Sequence, residues 1–349
     1  VALYPPPKVG GFTATADKYS VAMDITHVEA QSILHDMVKT VDVVIENYKV
    51  GSLAKYGLDY ATLSAINPKL VYCSITGFGQ DGPRADEPGY DFIIQGISGL
   101  MSITGEPDGV GAGAQKVGVA VVDIQTGLYA TIAIQAALLA RHHTGNGQYI
   151  DISLLDVQIA GLANQGMNYL TSGKPPKRMG NKHPNIVPYQ TFKAKDKEFI
   201  IACGNDKQFA DLCHAIGYDA LLAEPQFLKN QDRVKNRDEL IALLSQHFLT
   251  QTAEYWVAAI QAVKVPVGVI NSIEDALHEP QVLHRNMVVN ITHTLNPDFT
   301  MIGSPIKLSD TPVQYKSAPP QLGEHTQTVL SQFVTPEQLN ALTQRNILG

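Results

Sequence analysis

Short apolar runs alternate with amphipathic stretches along the first half of the chain. Val41–Ile45, Lys69–Ile75 and Gln148–Ser153 are runs of strand length, rich in Val and Ile. Between them, His27–Val38, Tyr60–Ile66, Asp91–Met101 and Ile124–His143 place apolar residues at helical spacing. The last of these stops at Thr144–Gly145–Asn146–Gly147, because Gly and Asn accept the conformation that closes a helix. A further helix is predicted after Ser153, to about Leu170. Strand and helix in alternation predict an α/β architecture, with a parallel sheet covered by helices.

The texture changes at Ser172–Asn185, where Gly, Pro, Lys, Arg and His crowd together as in a linker. Beyond it, Tyr189–Phe192, Glu198–Ala202, Val267–Ile270 and Met287–Thr292 read as strands. Lys207–Ile216, Arg237–Leu249 and Ala253–Val263 read as helices. This second region predicts a smaller α+β domain. The tail is loop-rich around Pro319–Pro320 and then carries two short helices.

With 349 residues and roughly 150 per domain, two domains are expected. An apolar fraction of 44% supplies ample core, which excludes a disordered chain. The net charge is −7 with no basic block and no aromatic stripe, which argues against a nucleic-acid partner. Cys73, Cys203 and Cys213 are an odd, widely spaced set, so a disulfide framework and a structural zinc site are not expected. The histidines show no metal-ligand spacing, and no metal is expected. Val1–Gly11 holds three prolines and no apolar run, so no signal peptide is read there and a cytoplasmic location is expected. Val117–Ala140 is apolar but interrupted by Asp123, Gln125 and Gln135. It reads as a buried helix with its lead-in, not as a membrane span.

Five places carry candidate chemistry. Gly77–Phe78–Gly79–Gln80–Asp81–Gly82 follows a strand but does not open a helix, because Pro83 and polar residues come next. It therefore reads as a glycine loop at the carboxyl end of a parallel strand, or as a plain turn, and not as a dinucleotide fingerprint. Asp123 stands in an otherwise apolar run, either as a helix N-cap or as a partly desolvated carboxylate nucleophile. Asn47, Tyr48 and Lys55 follow a strand end, where a ring can stack and a base can pair with phosphate. Arg178, Lys182 and His183 lie in a basic, turn-rich segment that reads as a solvated linker or as a carboxylate-capturing site. Gly204–Asn205–Asp206 follows a strand and reads as a ligand-approaching turn or as a helix cap.

Taken in order, a set of motifs resembles the class III CoA-transferases. These are Glu46–Asn47–Tyr48–Lys49–Val50–Gly51, Leu70–Gln80, Gly82–Pro83, Pro88–Gly89–Tyr90–Asp91, Gly99–Leu100–Met101 and Thr104–Gly105. Val117–Asp123, Thr126–Gly127 and Thr144–Gln148 complete the core of the likeness. Asn168–Leu170, Ile186–Gln190, Cys203–Asn205, Glu279–Leu283 and Leu322–Thr326 resemble the subgroup that exchanges CoA between succinyl-CoA and dicarboxylates of the glutarate type.

The resemblance implies that Asp123 is the nucleophile and passes through covalent aspartyl intermediates. It puts CoA contacts on Asn47, Tyr48 and Lys55, with Gly77, Tyr90 and Asp91 as further CoA-site positions. Gly204, Asn205 and Asp206 correspond to a mobile loop over the site, and Arg178 and His183 are the candidates for the substrate carboxylate. No tightly bound cofactor is implied, since the CoA thioester is the substrate. A Rossmann-like large domain would comprise residues 1–172 and 295–349, joined through a linker at 173–189 to the small domain at 190–294. An interlocked homodimer is implied as well.

Two departures matter. Related racemases carry a catalytic His where this chain has Tyr90, and proton transfer at an α-carbon needs a second base. Transfer is therefore favoured over racemisation. The recognisable match starts only near Lys18–Asp24, leaving the family's opening strand without a counterpart in Val1–Thr15. A racemase-like enzyme is the runner-up, and a non-catalytic CoA-binding chain is the other alternative.

Overall fold

A computed structural model describes residues 2–3, 17–293 and 295–349. In chain order its first elements are β1 (Ala2–Leu3), β2 (Ser20–Val21), α1 (Val28–Val38), β3 (Val43–Glu46), α2 (Tyr60–Ile66) and β4 (Val71–Thr76). Then come α3 (Asp91–Ile97), α4 (Leu100–Ile103), α5 (Val121–Thr144), β5 (Tyr149–Ser153), α6 (Leu154–Ala160) and α7 (Ala163–Ser172). The middle of the chain forms β6 (Tyr189–Lys193), β7 (Glu198–Ala202), α8 (Asp206–Ala215), α9 (Pro225–Leu228) and α10 (Asn230–Lys235). These are followed by α11 (Arg237–Phe248), α12 (Ala253–Ala262), β8 (Val267–Val269), α13 (Ile273–His278) and α14 (Pro280–His284). The chain closes with β9 (Val288–His293), β10 (Asn296–Ile302), α15 (Thr326–Leu330) and α16 (Pro336–Gln344).

The chain divides into two compact units. The first comprises Val1–Ser98, Gly118–Ala163 and Leu277–Gly349. Its centre is the parallel sheet β3–β4–β5, with β4 in the middle. Val71, Tyr72, Cys73 and Ser74 of β4 are all buried, as expected of a central parallel strand covered on both faces. Val38, Leu58, Leu63, Leu70 and Tyr72 form one cluster, while Ile94, Val122 and Leu154 form another. A third cluster joins the two ends of the chain: Val21, Ala30 and Ile33 pack with Val329, Leu330, Leu339 and Leu342.

The second unit comprises Gly99–Val117 and Asn164–Ala276. Its antiparallel sheet β6–β7–β8 carries a core of Phe192, Phe199, Phe209, Phe248 and Trp256. Arg233 is fully buried within this unit. Its guanidinium donates to the carbonyls of Val187, Phe227 and Leu228 and to the Asp206 carboxylate, so the buried charge is matched on every side.

The structure departs from the sequence expectations at several points. The helix expected over Asp91–Met101 breaks at Ser98–Gly99, where Gly99 takes φ +89°. The segment Gly99–Val117, read as part of the large domain, clusters with the second unit. The helix expected to run on to Leu170 is two helices, α6 and α7. β10 was not foreseen; it pairs antiparallel with β9. α5 begins at Val121 with Ala120 as N-cap, so Asp123 lies in the first turn and is not the cap.

Nor is α5 buried as expected. Leu128, Ile132 and Leu139 are 60%, 61% and 64% exposed. By length and composition α5 also suits a bilayer. It is nonetheless a layer of the first unit, packed against α3, α6, β4 and β5. Residues 1 and 4–16 lie outside the described residues, and with them the question of what stands in for the family's opening strand.

Candidate active site

Parallel sheets bind ligands beyond the carboxyl ends of their strands, where loops and helix starts converge. In the first unit a cavity of about 950 Å³ lies there. Ile45 and Glu46 at the end of β3 and Ile75–Gly77 at the end of β4 form part of its wall. The loops Asn47–Val50 and Ala85–Tyr90 add to it. From α5 come Asp123, Thr126 and Gly127, which share one helix face because their spacing is three and four.

Asp123 lines this cavity and is an exposed residue, so its carboxyl is only modestly desolvated. Burial raises its pKa above the ordinary carboxylate value, and the negative charge of Asp91 adds to that rise. No hydrogen bond reaches its carboxylate from the described residues. Cys73 of β4 is no rival nucleophile: it is absent from the cavity wall, and burial pushes its thiol up to about 11, far above neutral pH.

The glycine loop after β4 is held by side chains and by its own backbone. Thr76 Oγ1 accepts from Gly79 N at 2.9 Å, and Asp151 Oδ2 accepts from Gln80 N at 3.0 Å. A Cβ on Gly77 would stand 2.5 Å from Gly89 Cα, so two backbones touch where only glycine fits. Both glycines line the cavity.

The sequence candidates separate clearly. Asn47, Tyr48, Gly77, Tyr90 and Asp123 share the cavity wall. Lys55 does not join them; its ammonium lies 4.6 Å from the centre of the Tyr56 ring. Asp91 turns into the protein, where Val122 N and Gln95 Nε2 donate to its carboxylate. Lys49 was not singled out by the sequence reading, yet it lines this cavity and an adjoining one of about 340 Å³. It is the one cationic side chain among the described residues of the larger cavity, which also carries Glu46, Asp86, Glu87 and Asp123. Its place in Glu46–Asn47–Tyr48–Lys49, at a strand end, was the available signal.

Arg178, His183, Gly204, Asn205 and Asp206 belong to the second unit. Two guanidinium nitrogens of Arg178 are already engaged within this unit. Its Nη2 donates to the Asp108 carboxylate, and its Nε donates to the carbonyl of Glu106 at 3.0 Å. His183 Nδ1 accepts from Asn185 N at 3.1 Å, within a turn whose carbonyls also receive Arg237. Asn205 Oδ1 caps α8 by accepting from Gln208 N, and Gly204 N donates to Gln208 Oε1. Asp206 accepts from Arg233 Nη2 and Asn230 N, both at 2.9 Å. Partial burial opposes its ionisation, but the bond from Arg233, the bond from Asn230 and the guanidinium charge outweigh it and hold its pKa low. The cap reading thus describes this turn.

Comparison with known proteins agrees with the chemistry of the first unit. Residues 11–326 match the sequence profile of CoA-transferase family III, a span that starts ahead of Lys18. The chain is 47% identical over 321 residues to the succinate–glutarate CoA-transferase of Agrobacterium fabrum, covering 92% of this chain and 80% of that protein. It is 39% identical over 318 residues to the succinyl-CoA:glutarate CoA-transferase of Mus musculus, covering 91% and 72%. The crystal structure of a CAIB/BAIF family protein from Brucella suis superimposes with a TM-score of 0.81 at 45% identity, covering 92% of this chain and 83% of that one. With the cavity, its strand-end loops and this likeness together, the chain belongs to CoA-transferase family III.

Proposed function

We propose that this enzyme moves CoA reversibly between succinyl-CoA and a dicarboxylate of the glutarate type, with Asp123 as the nucleophile. The observation that carries the reading is the position of Asp123: first turn of α5, facing the cavity, with a raised pKa and no hydrogen bond from the described residues. The names of the relatives support the choice of acids.

In this reading an Asp123 oxygen attacks the thioester carbonyl. The C–S bond breaks, CoA leaves as the thiolate, and a mixed aspartyl anhydride forms. The thiolate then attacks the aspartyl carbonyl, releasing the donor acid as its carboxylate and leaving an aspartyl–CoA thioester. The acceptor carboxylate attacks that thioester, and the steps run in reverse to give the new acyl-CoA and free Asp123. Lys49 is the counter-charge for an anionic group of the CoA thioester in a wall otherwise acidic. The exposed stripe of α5 supports a homodimer in which a second copy covers it, to be read by sedimentation.

The test is exchange from succinyl-CoA to a panel of mono- and dicarboxylates, with wild type beside Asp123→Ala. Turnover with glutarate that vanishes in the variant is the expected result. Turnover that survives Asp123→Ala removes the nucleophile assignment.

A further inference from the structure

α5 begins without a side-chain cap of its own. Ala120 holds the N-cap position and has no side-chain acceptor. The first-turn N–H of Val122 is met instead by Asp91 Oδ1 at 2.8 Å, from 31 residues earlier. Asp91 is the first residue of α3, and its other oxygen accepts from Gln95 Nε2 at 2.7 Å, one turn along. Val122 and Gln95 are fully buried. Asp91 itself is absent from the cavity wall, although Tyr90 beside it is present.

This geometry acts on Asp123, the residue after Val122. A helix start offers free N–H groups and the positive end of the helix dipole, both of which stabilise a carboxylate and blunt it as a nucleophile. Asp91 takes one of those N–H groups and places a negative charge near the same helix end. Glu46, Tyr48, Lys49, Asp86, Glu87 and Tyr90 face the cavity, and the neighbouring α6 carries Asp156. Of all these, it is Asp91 whose charge registers on Asp123.

We propose that Asp91 is a positioning residue for the nucleophile: it caps the Asp123 helix from a neighbouring helix and withholds the Val122 N–H from Asp123. The carboxylate next to it is thereby kept free to attack the thioester. The inference rests on Asp123 being that nucleophile.

Asp91→Asn separates charge from cap. Its amide oxygen can still accept from Val122, and Gln95 can turn its own amide to accept from the new NH₂ group. The expected kcat falls roughly tenfold or more at the neutral plateau, while KM for succinyl-CoA stays within about twofold. The acid limb of kcat/KM moves to lower pH, because losing the adjacent negative charge lowers the pKa of Asp123. Asp91→Ala, which removes cap and charge together, loses more activity and melts earlier.

An Asp91→Asn enzyme with wild-type kcat and an unmoved limb overturns the proposal. So does one that loses activity with the limb unmoved, since that is a cap and nothing more. Hydroxylamine trapping of the wild type, which turns the aspartyl–CoA thioester into a hydroxamate with release of CoA thiol, tests the underlying reading separately. A hydroxamate on Asp123 leaves the Asp91→Asn result to decide. A label on another residue removes the nucleophile and this inference with it.

Discussion

Asp123 and Asp206 both stand in the first turn of a helix, one in each unit, and their surroundings drive them in opposite directions. Asp206 meets a buried guanidinium, a lysine and a backbone N–H. Its pKa is held low, and it ties α8 to the segment that follows. Asp123 meets no cation and no hydrogen-bond donor among the described residues, and another carboxylate is its electrostatic neighbour. Its pKa is raised. Residue type is the same and both lie in a first turn, Asp206 at its first position and Asp123 at its third, and the partners set the direction in which each pKa moves.

Breaking each member of the pair should give different losses. Asp123→Ala is expected to lower kcat by at least about 10⁴-fold, the scale on which covalent catalysts depend on their nucleophile, with near-normal melting. Arg233→Ala should instead destabilise the second unit by about 3 kcal/mol, because it strands three carbonyls and a carboxylate. A melting temperature within a degree of wild type would sink that account of Arg233.

Titration sharpens the contrast. The low pKa of Asp206 contributes stability that is full above the unfolded carboxylate value and lost as pH falls through the folded value. The raised pKa of Asp123 has the opposite sign: its ionisation destabilises the fold as pH rises through the carboxylate range. Asp206→Asn should therefore lower the melting temperature at pH 7 and matter less in acid. Asp123→Asn should raise it slightly at pH 7 and leave it unchanged in acid. Shifts of the same sign in both variants would contradict the comparison. The smallest effect is expected from Arg178→Ala, about 1 kcal/mol or less in stability. Because Asp108 and Glu106 already occupy that guanidinium, the ratio of dicarboxylate to monocarboxylate turnover should not change.

Much of the first unit was legible because its strands are short and rich in Val, Ile and Tyr between amphipathic helices, and its motifs are contiguous. Asn47, Tyr48, Gly77 and Asp123 stood out in local pattern and Tyr90 only through the family resemblance, and all line one cavity. What escaped was set by distant partners. Asp91 was read as a ligand contact because its carboxylate finds Val122 only 31 residues later. Arg178 looked available because Asp108 lies 70 residues earlier. Lys55 was preferred to Lys49, since a basic residue near a strand end does not reveal which way its side chain turns. β10 was missed because it opens with Asn296–Pro297–Asp298, a turn-like start whose pairing with β9 carries an irregularity. The exposed face of α5 was misread because helical periodicity marks an apolar stripe without saying what covers it.

The wall of the cavity bears on redesign of the enzyme. Gly77 and Gly89 touch backbone to backbone, so neither position tolerates even a methyl group without spreading the loops apart. Gly127 is the reverse case. It lies one turn beyond Asp123 on the same helix, and nothing stands within 4 Å of where its side chain would begin. It is a blank tile in the cavity wall. Progressively larger side chains there would narrow the chamber, letting an engineer favour shorter acids.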